Sequence, residues 1–239
     1  ELDQIKARLL TLVEEDLHFG VSAVSALLEL LKKQGISPLP SLPELTLLAL
    51  FSDILTGVLS PEFVGNLQFS AYTLKAIAES YGLKLAGLRL TQDELKALID
   101  AGYPVLVSIE DRHFVVVTSI TDTEVTFLEN GYTRTKPLSE FQARWFGVGL
   151  VKESALDLTQ FQPLKSKLLT TQELLKVKGA GWFKKLFRKI KRFFQRIVNA
   201  IVKAIQKLTQ WITKAFTAMF GKVIGGALAG IINSIINIL

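Results

Sequence analysis

The chain of 239 residues contains no cysteine and only two histidines, His18 and His113. Without cysteine there is no disulfide, no thiolate zinc site and no thiol nucleophile. Two histidines cannot build a multi-histidine metal centre, so neither metal nor cofactor is expected. Long disorder is excluded too, because 49% of the residues are hydrophobic and 21% charged, enough apolar surface for a core. Negative charge is missing from one end, since no acidic residue follows Glu173. Residues 181–239 hold 11 of the 28 Lys+Arg, leaving 17 basic against 22 acidic residues before them. An acidic front part joined to a basic tail points to a membrane or polyanion partner for the tail. The start carries Glu1, Asp3, Glu14, Glu15 and Asp16, the wrong flanks for a signal peptide.

What is present divides by period. Residues 3–15 and 21–34 read as helices, the second through Val21, Val24, Leu27, Leu28 and Leu31 at three- and four-residue steps with Gly35 as its stop. Pro38, Pro40 and Pro43 set a loop over 36–43, and a short apolar helix is predicted over 44–56. Ser70 to Tyr81 reads as a helix ended by Gly82. From there the period moves toward two. Strands are predicted at Leu83–Leu90, Val105–Ile109, Phe114–Ile120, Glu124–Leu128, Thr133–Pro137 and Gly147–Val151, with a short helix at Gln92–Ala101. Helices first and an antiparallel sheet afterwards define an α+β domain.

Several stretches carry a resemblance. Ala101-Gly102-Tyr103-Pro104-Val105-Leu106-Val107, then His113-Phe114-Val115-Val116-Val117, then Glu124 through Asn130, and finally Leu138-Ser139-Glu140-Phe141 with Trp145-Phe146-Gly147 follow one another in order. Upstream, Ser22-Ala23-Val24-Ser25-Ala26-Leu27 runs to Gly35. This order resembles the papain-like cysteine peptidases that remove double-glycine leaders from bacteriocin precursors, over roughly residues 15–152. The resemblance implies a papain-like fold, with Ser22 at the thiol position and His113 as the catalytic histidine. A second register, keeping the family's glycine at Gly20, puts Phe19 at the thiol position. Glu129 or Asn130 falls where the family has its orienting aspartate, and Asp16 falls near its oxyanion-hole glutamine. Papain-type chemistry needs a thiolate, an imidazole, an orienting acceptor and an oxyanion donor. A serine hydroxyl is far less acidic than a thiol, whose pKa is about 8.5, and the charge of Asp16 repels an oxyanion. The site is therefore expected to be inert or nearly so. A serine substituted for a native cysteine would read the same way.

Residues 169–180 read Leu-Thr-Thr-Gln-Glu-Leu-Leu-Lys-Val-Lys-Gly-Ala. Leaders cut by that family end in Leu-Ser, two free positions, Glu-Leu, two free positions, an aliphatic residue, a free position and Gly-Gly or Gly-Ala. Leu169, Glu173, Leu174, Val177, Gly179 and Ala180 meet the pattern, with Thr170 in place of Ser. Leu169, Leu174 and Val177 can anchor one face of a short helix in an apolar groove, capped by Thr170 or Thr171. Gly179-Ala180 is a small pair suited to a narrow slot. Alone, such a pattern would pass for an ordinary amphipathic helix with a glycine end; its place between the two flanking parts gives it weight.

From Trp182 to Phe220 apolar residues form a three- and four-step stripe that includes Phe183, Phe187 and Trp211. Lys184, Lys185, Arg188, Lys189, Lys191 and Arg192 fall largely off it. Residues 223–239 carry no charge and are short against the ~20 residues of a spanning helix. A basic amphipathic helix with aromatic anchors suits an anionic lipid interface, and the long apolar stripe argues against nucleic acid.

Three parts are expected: 1–152, a leader-peptidase-like domain; 153–180, linker and leader; and 181–239, an all-α membrane-active peptide. The expected function is a precursor of a bacteriocin-like antimicrobial or toxin peptide, membrane-associated or secreted. Its front domain would bind the leader or restrain the peptide, and a transporter or processing peptidase would be its partner. The alternatives are a self-processing peptidase and a membrane-anchored peptide-binding protein.

Overall fold

The computed structural model describes residues 22–46, 48–49, 69–109 and 113–177. The expected helix at 3–15, Phe19, Gly20, Asp16, Gly179, Ala180 and all of 181–239 lie outside the described residues.

From Leu85 onward short apolar runs, rich in β-branched residues, fold as strands, the central ones buried on both faces; before Leu85 the apolar residues recur at helical steps. Helix α1 spans Ser22–Lys33 and buries Ala23, Val24, Ala26, Leu27, Leu30 and Leu31. Helix α2 spans Ala71–Ser80, with the Ser70 side chain accepting from the Thr73 N–H at its N-terminus. Six strands follow: β1 Leu85–Arg89, β2 Val105–Ile109, β3 His113–Ile120, β4 Glu124–Glu129, β5 Tyr132–Pro137 and β6 Trp145–Lys152. Helix α3, Gln92–Asp100, joins β1 to β2 behind a capping box of Thr91 and Glu94. Helix α4, Leu138–Arg144, lies between β5 and β6.

The strands form one antiparallel sheet in the order β1-β6-β2-β3-β4-β5. Its two-residue alternation sends side chains to two cores. Ala86, Leu88, Val105, Val107, Val115, Val117 and Phe127 pack with Leu95 and Leu98 of α3 and Phe141 of α4. Helices α1 and α2 cover the other face, α1 against β2, β3 and β4 and α2 against β1. At roughly 25 cal/mol per Å² of apolar surface removed from water, two such cores are the main support of the sheet.

Two boundaries differ from expectation for local reasons. Residues 42–46 are already helical, because Ser41 and Glu44 form a capping box. Glu44 N–H donates to Ser41 Oγ at 3.3 Å, and Ser41 N–H to Glu44 Oε2 at 3.0 Å. Pro43 falls in the first turn, where no intrahelical N–H bond is lost. Residues 153–167, expected as linker, are packed 3-10 turns, Glu153–Asp157 and Thr159–Lys167, that bury Ala155, Leu156, Phe161 and Leu164. Helix α5, Thr171–Lys176, ends the described chain.

Candidate functional site: a peptidase-like centre and a docked C-terminal segment

Ser22 opens α1 and is buried at 3% exposure. The helix start abuts the start of β3, and Ser22 Oγ accepts the Phe114 N–H at 3.4 Å. Among the described residues no hydrogen bond joins Ser22 to the His113 ring; the serine oxygen is engaged by backbone instead.

His113 begins β3, and Glu129 ends β4. Leu128 pairs with Val116, so the next residue, Glu129, lies on the diagonal from His113. His113 Nε2 sits 2.7 Å from Glu129 Oε1. The ring is turned so that Nε2 makes no hydrogen bond, and the pair is a close approach rather than an aligned bond. The other carboxylate oxygen, Oε2, faces Arg134 Nε at 3.4 Å, and the Arg134 guanidinium lies 5.8 Å over the Tyr132 ring.

Of the two orienting candidates, Glu129 is the one in contact with the histidine, and Asn130 falls in the turn after β4. Asn130 and Gly131 link β4 to β5 with φ of 48° and 83°, the left-handed pair of a two-residue hairpin turn. An Asn-Gly pair between two strands is itself a turn signal, and it assigns Asn130 to the hairpin. Among the described residues no group of acidic residues and histidines could hold a metal ion, and no helix is long and apolar enough to cross a membrane.

The second feature is the seat of residues 168–177. Leu168 bridges Leu88 of β1 in antiparallel sense, and the Leu169 N–H donates to the Gly87 carbonyl at 2.9 Å. The segment therefore adds a short rung to the open edge of the sheet. It then turns into α5 through a capping box: Glu173 N–H donates to Thr170 Oγ1 at 3.3 Å and Thr170 N–H to Glu173 Oε2 at 2.9 Å. The hydrogen bonds from the Thr170 backbone and hydroxyl hold the Glu173 carboxyl below its usual range. Arg89 on β1 approaches Glu173 at 3.7 Å. Upstream, Lys167 Nζ meets Glu94 Oε1 at 2.5 Å. Burial raises the Glu94 pKa, but the hydrogen bonds from Lys167 and Thr91 outweigh it and the carboxyl is net lowered. Downstream, the Val177 carbonyl accepts the Ala71 N–H at the start of α2 at 2.7 Å.

Of the expected anchors, Leu174 is buried, while Leu169 and Val177 are half-buried. Leu169 precedes the helix and engages through its backbone, and Leu175 takes the second buried position. Gly87 on β1 is the residue that sequence reasoning missed. A Cβ built there would fall 2.5 Å from Leu174 Cδ2. An isolated glycine inside a strand is a known mark of close approach, so the signal was present at 87.

An antiparallel sheet carrying a helix start beside a histidine strand defines a papain-like α+β fold. Residues 64–156 match the family model described as the Peptidase C39 family, less than half of the chain, and the fold is of that C39 type. No curated protein matches the chain. Among solved structures, the chain is similar to a double glycine motif protease from an AMS/PCAT transporter, in complex with the leader peptide. That likeness is 19% identity over 54% of this chain and 81% of the other, with a TM-score of 0.39. It is similar as well to the N-terminal peptidase C39 like domain of the toxin secretion ATP-binding protein from Vibrio parahaemolyticus. Here identity is 19% over 56% of this chain and 98% of the other, with a TM-score of 0.40.

Proposed function

We propose that the chain is a precursor in which a peptidase-like domain without a thiol holds a double-glycine-type leader, residues 169–180, ahead of a cationic membrane-active peptide, residues 181–239. The observation that carries this reading is the docked segment. Thr170, Glu173 and Leu174, all fixed positions of the leader pattern, are the residues that cap α5, pair with Arg89 and fill the space over Gly87.

The domain then serves as carrier rather than enzyme. Among the described residues Ser22 Oγ accepts the Phe114 N–H but donates to no base, whereas a nucleophile must hand its proton to one. Release of the peptide falls to a peptidase acting in trans, free or part of a transporter. Once released, the 11 basic residues draw 181–239 to anionic lipid, at about 1 kcal/mol per Lys or Arg near the surface, and its apolar stripe inserts.

The test is to treat the intact chain with an active double-glycine-leader peptidase. Cutting is expected between Ala180 and Gly181, and Glu173→Ala with Leu174→Ala should abolish it; unchanged cutting of that variant removes the leader reading. A self-processing peptidase is the second reading, favoured by the 2.7 Å approach of Glu129 to His113. With Nε2 facing the carboxylate, Nδ1 would be the nitrogen to exchange a proton with a nucleophile at position 22.

A further inference from the structure

We propose that Gly87 is the size gate of the groove, and that Leu174, seated over it within the same chain, withholds the leader-type segment from a peptidase acting in trans. This rests on the reading of 169–180 as a leader and adds its regulation.

Alternation along β1 turns Leu85 and Gly87 toward the α2 side of the sheet, opposite Ala86 and Leu88 in the other core. Gly87 pairs with Leu150 of β6, whose Cδ2 would lie 3.3 Å from a Cβ at 87. The absent side chain is thus a hole walled by Leu150, and Leu174 Cδ2 occupies it. Even alanine at 87 would meet Leu174 at a separation that real Cβ contacts essentially never show.

The segment is tied on both sides of this knob. Upstream the Leu169 N–H is held by Gly87, and downstream the Val177 carbonyl is held by Ala71. The side chains a leader peptidase must read are turned inward or engaged: Leu174 is 3% exposed, and Glu173 faces Arg89. A second protein cannot grip Leu174 until the segment lifts off. Because the groove and its occupant share one chain, the docked state competes at the high effective concentration of a tethered ligand. When lifting off is rapid and reversible, cutting tracks the lifted population.

Two variants open the seat while leaving residues 165–185 unchanged. Gly87→Val fills the hole. Ala71→Pro deletes the N–H that holds Val177; it falls at the first helical position, which accepts proline, after Ser70 at φ −83° and ψ 160°, the extended backbone a residue before proline prefers. Each full chain is incubated with a purified active double-glycine-leader peptidase at neutral pH, and release of 181–239 is followed by mass spectrometry. Both variants should be cut about tenfold faster than the unaltered chain, or more, as the lifted population grows. Near-ultraviolet circular dichroism checks that the sheet remains folded, and if Gly87→Val does not fold, Ala71→Pro decides alone. A synthetic peptide of residues 165–185 is the control. If it is cut while folded variants and unaltered chain release at one rate, the gate is overturned and the leader reading stands. If it is not cut, the leader reading itself fails.

Discussion

At the scale of single residues, the candidate centre sets His113 beside Glu129, and among the described residues Ser22 has no hydrogen bond to that ring. Ser22 Oγ accepts from Phe114 N–H, and a serine is a poor nucleophile without a base aligned on it. Sulfur is a weak acceptor, so Ser22→Cys exchanges a hydroxyl that accepts a backbone bond for a thiol that ionises near pH 8.5, about the ordinary cysteine value. The unaltered chain should stay intact for hours at neutral pH, and Ser22→Cys should cut slowly after Ala180, as read by mass spectrometry. Cleavage that survives an added His113→Ala would place the chemistry at another residue. Glu129 and Asn130 show the reach of local reading. Both are adjacent acceptors in the sequence, and only the hairpin, with Asn130 at φ 48°, leaves Glu129 beside the histidine.

Among the elements, α5 has the most at stake in its caps, because six residues are too few to hold a helix on their own. Thr170→Ala removes the acceptor of the Glu173 N–H and should cost about 1 kcal/mol of the docked segment's stability. Loss of protection at the Leu169 amide, measured by hydrogen exchange against amides of β3, reads this directly; equal protection would assign the seat to Leu174 and Leu175 alone. Acid should act on the same element. Glu173 is held down by the Thr170 hydrogen bonds, and Glu94, despite the raising effect of burial, by Lys167 and Thr91. A carboxylate lowered in the folded state contributes stability that is complete above its ordinary value, 4.5 here, and is lost as pH falls through the lower folded value. The segment should therefore loosen below pH 4.5 and not above it. Methyl NMR signals of Leu174, compared with Val107 in the sheet, follow this without interference from amide exchange. A Leu174 signal unchanged through the acid range while the sheet persists would remove the carboxylates from the account.

For the molecule as a whole, the division of charge sets the expectation. Residues 181–239, which lie outside the described residues, carry 11 basic residues and no acidic one. A synthetic peptide of that span should release dye from vesicles rich in anionic lipid and far less from neutral ones. Salt should weaken the effect, since the Debye length is about 10 Å at 0.1 M and shorter above it. Joined to the acidic front part, the same span should leak less dye, its apolar stripe having a protein surface to meet. Equal leakage from intact chain and free peptide would end the restraining role, and no leakage from either would favour a plain anchor.

What the sequence alone determined is local. The short runs of β-branched and other apolar residues that make strands of 105–109 and 113–120, the Thr-x-x-Glu boxes that start α3 and α5, and the charge division at Glu173 depend on neighbours a few positions apart. Tertiary structure decided the pairings across long separations. It set the last strand, β6, between β1 and β2, brought Ser22 to Phe114 across 91 intervening positions, and laid Leu174 over Gly87. A glycine in a strand and a leucine in a short helix leave no mark of each other in the chain. Only the packed sheet edge, where a missing Cβ makes room for a methyl group, joins the two.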